Sequence, residues 1–205
     1  MIKKILIIFI CLFLSVGCST DINSMSLEEI INTTIKEKST LYNTNNKGYR
    51  YYLPNEFSVI KDNGYIQEFV SNDNRYYLNI DVVSYYYKNK VSEEPKSDDY
   101  KYFTFDNNSK TGYLRITKNK DTFFVELCYN YAIIEVEVEE SELRYAISRS
   151  ISILNSIRYN DLVIKKYIDE NNLDTRETVY NIPEPTNKDE SQNVLQYIEE
   201  NEAEE

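Results

Sequence analysis

Between Tyr49 and Val138 the apolar residues recur at every second position for about ninety residues, and only a sheet can use such a pattern. Successive strand side chains point to opposite faces, so alternation produces one face for a core and one wetter face. The predicted strands run Tyr49–Leu53, Phe57–Ile60, Tyr65–Val70, Tyr76–Tyr87, Tyr100–Phe105, Gly112–Thr117, Phe123–Tyr129 and Ala132–Val138. Leu78, Ile80 and Val82 alternate with Asn79, Asp81 and Val83 in the longest of them. Asn63-Gly64 is a hairpin signal, and Ser71-Asn-Asp-Asn74, Asn107-Asn108 and Asn119-Lys120-Asp121 supply further turns.

Helical periodicity flanks this region on both sides. Ser26 and Glu29 form a capping box ahead of Leu27, Ile30, Ile31 and Ile35, with Leu41 continuing the stripe and the Asn43–Gly48 run ending it. A closing helix begins near Ser141 and carries Leu143, Ala146, Ile147, Ile151, Leu154 and Ile157 on one stripe. The fold class is therefore α+β: a mostly antiparallel sheet of about seven strands covered by an N-terminal and a closing C-terminal helix. The domain spans residues 25–160. Residues 161–205 read as an acidic, largely disordered tail with short helical patches, one of them at Leu162–Ile168.

The first eighteen residues have a different character. Lys3 and Lys4 precede an apolar run from Ile5 to Leu14, followed by Ser15-Val16-Gly17 and Cys18. The run is too short for a spanning helix, which needs about 20 apolar residues. It resembles the lipobox of bacterial lipoproteins, although Ser15 stands where that family most often has Leu. The resemblance implies that residues 1–17 are a signal peptide, that Cys18 carries a diacylglycerol, and that residues 18–24 tether the domain to the outer face of the bacterial cell membrane. Two acyl chains give stable anchoring where one does not. Cleavage after Gly17 to release a soluble protein is the alternative.

The composition excludes several functions. With 23 basic against 34 acidic residues the net charge is −11, and nine negative charges of the excess lie between Asp161 and Glu205. Nucleic acid is not an expected partner, because phosphate backbones need clustered cations. The absence of His rules out Ser-His-Asp and Cys-His catalysis. Cys128, the one cysteine besides Cys18 in the mature chain, reads as a buried apolar residue. Asp81 and Glu126 are the nearest approach to an acid–base pair, and exposure of both to solvent or pairing with Arg115 across the sheet explains them better. Glu135, Glu137, Glu139 and Glu140 lack the Gly-turned loop of a Ca²⁺ site and read as a solvated strand face. No catalytic residue, metal or cofactor is expected.

The order Gly48-Tyr-Arg-Tyr-Tyr-Leu-Pro-Asn-Glu-Phe-Ser-Val59, a long central strand and a closing helix with Ile151-Ser-Ile-Leu-Asn-Ser-Ile157 resembles the PsbP/Mog1-like superfamily over residues 25–160. A lipoprotein-carrier-type half-barrel is the rival architecture. The PsbP/Mog1-like resemblance implies a domain that binds partners or assists assembly, here an envelope protein, and it carries over no catalytic residue. The 20 tyrosines offer an alternative: Tyr76, Tyr85, Tyr86 and Tyr87 on one sheet face could stack on a cell-wall glycan or hold a small molecule. High strand propensity accounts for the tyrosines without any site.

Overall fold

The computed structural model describes residues 22–171, apart from positions 38, 90, 92, 108 and 109. Residues 1–21, which include the expected signal peptide and Cys18, and the residues beyond Asn171 lie outside the described residues. A 3₁₀ turn at Ile22–Ser24 leads into α1 (Leu27–Lys36), whose start is fixed by the expected capping box. Ser26 Oγ accepts from the Glu29 backbone N–H at 3.2 Å, and Glu29 Oε2 accepts from the Ser26 N–H at 2.8 Å. The ten strands are β1 (Thr44–Asn46), β2 (Tyr49–Tyr51), β3 (Ser58–Asp62), β4 (Ile66–Ser71), β5 (Asn74–Ile80), β6 (Asp99–Asn107), β7 (Lys110–Asn119), β8 (Thr122–Tyr129), β9 (Ala132–Glu139) and β10 (Arg158–Tyr159). Helix α2 (Val82–Tyr87) follows β5, α3 (Leu143–Ser156) follows β9, and α4 (Asp161–Asn171) follows β10.

The architecture is α+β. Seven antiparallel strands form the main sheet in the order β3-β4-β5-β9-β8-β7-β6, and β1-β2-β10 form a small second sheet. Hairpins make most connections, and their turn residues bear the strain. Asn72 and Asp73 have φ of 50° and 59°, and Asn130 and Tyr131 have 56° and 62°, as a two-residue turn between twisted strands demands. One sheet face presents Tyr76, Leu78, Leu114, Ile116, Val125, Leu127, Ile134 and Val136, all fully buried. The buried stripe Leu143, Ala146, Ile147, Ile151 and Leu154 of α3 belongs to the same cluster, as do Ile30, Ile31 and Ile35 of α1. Burying such side chains contributes about 1.5–3 kcal/mol each before entropy is charged against it.

Three expectations are corrected. The segment Tyr76–Tyr87 is not one strand: β5 stops at Ile80, Asp81 Oδ1 accepts from the Ser84 N–H at 2.8 Å, and Val82–Tyr87 is helical. A side-chain cap on the backbone wins there over the strand propensity of three tyrosines. The Asn43–Gly48 run does more than end a helix, because α1 stops at Lys36, Leu41 is exposed, and Thr44–Asn46 is itself a strand that turns at Gly48 (φ 91°). Nor does the domain end at residue 160. The short helix expected at Leu162–Ile168 extends over Asp161–Asn171 and buries Ile164 and Ile168, with Ile164 packed on Gly48.

Gly112 marks the tightest point of the sheet. A Cβ there would stand 2.1 Å from the Cys128 carbonyl oxygen and 2.8 Å from the Phe105 ring. Gly112→Ala is therefore expected to lower stability in urea unfolding by about 2 kcal/mol or more, as overpacking does. Gly64→Ala, where nothing lies within 4 Å, should lose only about 1 kcal/mol from its φ of 83°.

Candidate functional site

The register of the main sheet places one polar row on the face away from the α3 core. Tyr102 pairs with Arg115, Arg115 with Glu126, Glu126 with Glu135, Glu135 with Tyr77, and Tyr77 with Glu68, so the row crosses six strands from β6 to β4. These positions alternate with the core residues of the same strands. The polar half of the alternation is thereby gathered into a line.

Arg115 is the centre of the row. Only 4% of it is exposed, and three carboxylates surround it: Glu126 Oε1 at 2.9 Å from Nη1, Glu93 Oε2 at 3.3 Å from Nη2, and Asp99 Oδ1 at 3.1 Å from Nε. The Asp99 contact is an ion pair rather than an aligned hydrogen bond, since neither atom finds a well-directed partner. Nη2 also donates to the Glu94 carbonyl at 2.9 Å. Tyr102 and Tyr113 flank the guanidinium, with its carbon 5.7 and 5.4 Å from their ring centres. Tyr102 Oη donates to the Glu93 carbonyl. The connection between α2 and β6 is thus pinned at Glu93 and Glu94 over the second sheet face by one guanidinium. A buried cation is tolerated only when paired and hydrogen-bonded in this way.

Beside this cluster opens a cleft of about 420 Å³, lined by Val91, Glu93, Tyr102, Thr104, Phe105, Asp106, Thr111, Gly112 and Tyr113. The rings of Tyr102 and Tyr113 stack, with centres 6.1 Å apart and planes 23° off parallel. An aromatic wall with acidic side chains at its rim can receive the face of a sugar or an extended protein segment.

Glu135 is the strained member of the row. It is half-buried, with Glu126 opposite it on β8 and Tyr77 opposite it on β5. Burial, and then the charge of Glu126, push its carboxyl up to about 7. The reading of Glu135, Glu137, Glu139 and Glu140 as a solvated face holds for Glu139 and Glu140, which are exposed, and not for the half-buried Glu135 and Glu137. Glu137 Oε1 accepts from Thr122 Oγ1 at 2.5 Å and from Asn119 Nδ2 at 3.2 Å.

The tyrosines singled out from the sequence do not form one face. Tyr76 is fully buried on the core side, its ring 4.9 Å from that of Phe57. Tyr85 stacks on Tyr159 with centres 3.9 Å apart, donates to Asp161 Oδ1 at 2.6 Å, and carries the Lys88 ammonium 3.6 Å above its ring. Tyr86 and Tyr87 pack edge to face at 5.0 Å on the same short helix. Tyr76 is thus unavailable as a surface, and Tyr85 fastens α2 to β10 and α4. Asp81 serves as the α2 cap and is not close to Glu126 in register. Cys128 lies on the polar face between Tyr113 and Ile133 in register, is 1% exposed, and has its thiol pushed up by burial. Among the described residues no cluster of His, Cys, Asp and Glu has the arrangement of a metal site. Tyr102 and Tyr113, overlooked in the sequence, carried one usable signal: two aromatics flanking an arginine on strands joined by a short turn.

No protein-family model matches the chain, and no curated protein is similar to it in sequence.

Two measurements check the electrostatics. Because the folded-state carboxyl of Glu135 titrates above its ordinary value, it adds stability below about pH 4.5, which is lost as pH rises to about 7. Glu135→Gln should therefore melt at a higher temperature than the parent at pH 8, by an amount worth on the order of 2 kcal/mol, and the gain should shrink toward pH 5. Arg115→Gln leaves three carboxylates unpaired and should cost about 3–5 kcal/mol in urea unfolding at pH 7.

Proposed function

We propose that this protein is a lipid-anchored, extracytoplasmic binding domain of the bacterial envelope that engages a protein partner and performs no catalysis. The anchor rests on the run from Lys3 to Cys18. The binding role is carried by one observation: the side chains that chemistry would recruit are already occupied in holding the fold. Asp81 caps α2, Glu126 neutralises Arg115, and Cys128 is sealed between strands. The Arg115 cluster instead supports a shaped, partly aromatic cleft on the sheet face opposite α3, and partner docking is assigned there. The resemblance to the PsbP/Mog1-like superfamily points the same way.

A second reading is favoured by the stacked pair at the cleft. Tyr102, backed by the buried Tyr113 and beside Thr104 and Asp106, has the makings of a sugar platform, so a wall glycan is the alternative ligand. It replaces the earlier assignment of that role to Tyr76, Tyr85, Tyr86 and Tyr87.

Two expected outcomes test these statements. Cys18→Ala should shift the protein out of the membrane fraction of its host, and retention there would refute the anchor. Tyr102→Ala should abolish capture of an envelope protein by the purified chain, or of wall sugars on a glycan array, while leaving the melting temperature within a few degrees. Tyr85→Ala should chiefly lower the melting temperature, because its ring is packed on Tyr159.

A further inference from the structure

A second cluster of charge lies where the C-terminal ends of α1 and α3 meet the small sheet. Asn155 Nδ2 donates to the carbonyls of Thr34, Ile35 and Glu37, closing the end of α1. The Asn155 carbonyl in turn accepts from two cations, Lys110 Nζ at 3.1 Å and Arg158 Nη1 at 2.8 Å. An ammonium and a guanidinium therefore share one oxygen. Arg158 is also the direct cross-strand partner of Arg50 in the β10–β2 ladder, so a third cation lies on the same face. Like charges directly opposite in an antiparallel pair are destabilising.

Helix capping explains part of this arrangement. Lys110 and Arg158 complement the negative end of α3, as basic groups at helix C-termini do. Capping does not explain Arg50, whose exposed guanidinium lies 4.2 Å from the centre of the Tyr42 ring. Nor does it explain why none of the three pairs with a carboxylate among the described residues, in a chain with 34 acidic side chains. Arg75, Arg115, Arg149, Lys165 and Lys166 do, whereas Arg144, like Lys110 and Arg158, donates to a backbone carbonyl. Lys110 is held down to about 8 by burial and then by the charge of Arg158, the response of an ammonium that lacks a counter-charge.

We infer that Arg50, Lys110 and Arg158 form a binding site for a phosphate-bearing anion at the end of the domain where α1 and α3 terminate. Arg158 already donates to the Asn155, Ile157 and Ser39 carbonyls, so a tetrahedral anion with more than one negative charge would accept chiefly from the exposed Arg50 guanidinium and the Lys110 ammonium, and it would supply a counter-charge that the trio lacks among the described residues. The tether enters beside the other end of α3, where Arg144 Nε donates to the Met25 carbonyl. The 14 residues of α3 separate the two ends by about 21 Å. The site is distinct from the cleft and does not rest on the function proposed above.

The test is calorimetric titration of the full chain, in detergent, with inorganic phosphate, pyrophosphate and acetate at low salt. Saturable binding of phosphate and pyrophosphate is expected, with acetate much weaker. Arg50→Gln and Lys110→Gln should each weaken it about tenfold, the loss of one charge-assisted contact. Arg50 is exposed, so Arg50→Gln should fold and melt at the parent temperature or above it, since a like-charge pair is relieved. Absence of saturable binding by either phosphate species would overturn the assignment, as would unchanged affinity in folded Arg50→Gln. Anionic vesicles offered to the Cys18→Ala chain then identify the source. Vesicle binding that phosphate displaces indicates a lipid headgroup, whereas phosphate binding without vesicle binding indicates a soluble phosphorylated ligand, and either outcome upholds phosphate recognition.

Discussion

Everything distinctive on the polar face of the sheet depends on keeping one guanidinium charged in a nearly dry site. Arg115 is almost inaccessible to water, and its desolvation is offset only because Glu126, Asp99 and Glu93 arrive from three separate parts of the chain. Glu126 comes from the neighbouring strand, Asp99 from the start of the edge strand, and Glu93 from the connection after α2. The same contacts that compensate the charge therefore fix the path of that connection and the wall of the cleft. The cost appears one strand further on, where Glu135 faces Glu126 with no ion-pair partner among the described residues and is driven toward neutrality. A face built of ion pairs is less stable than an apolar one of equal volume, and such a face is more readily understood as a binding surface than as a second core.

The opposite face contributes the stability. Its strands supply aliphatic side chains to a single cluster shared with α1 and α3, and the small β1-β2-β10 sheet adds Tyr49 and Tyr51. Polar closures tie these layers together. Gln67 Oε1 accepts from Tyr51 Oη at 2.9 Å, and Ser156 Oγ accepts from the Tyr52 N–H at 2.9 Å. Tyr159 Oη donates to the Asn130 carbonyl at 2.7 Å, bracing the strained β8–β9 turn. Tyrosine is abundant here because it can fill a core with its ring and satisfy a buried carbonyl with its hydroxyl.

Much of this arrangement is legible in the sequence because it is local. Alternation locates seven strands of the main sheet, Ser26 and Glu29 locate the start of α1, and the stripe from Leu143 to Leu154 locates α3. The pairing of Glu126 with Arg115 is legible too, since both lie on the polar side of strands joined by a short turn. What is not local is lost. Asp99 and Glu93 reach Arg115 only through the course of an irregular connection, and β10 exists only because Arg158 and Tyr159 meet β2 more than a hundred residues earlier. The one misread strand, Tyr76–Tyr87, has a specific cause. Leu78, Ile80 and Val82 keep the parity of a strand across Asp81, so the alternation conceals the point at which its carboxylate caps a helix. The error carried into the site, because it treated Tyr85, Tyr86 and Tyr87 as residues of a sheet, whereas they lie on a short helix.

The central proposal is that the Arg115-supported cleft is a docking surface for a partner in the cell envelope. Photo-crosslinking in intact cells tests it most directly, with a photoreactive residue replacing Thr104 in the cleft and, as a control, Leu162 on the exposed side of α4. The account predicts a discrete adduct with an envelope component from position 104, none from position 162, and loss of the adduct when Arg115→Gln is added. An adduct formed equally from both positions, or from position 104 regardless of Arg115, would contradict it.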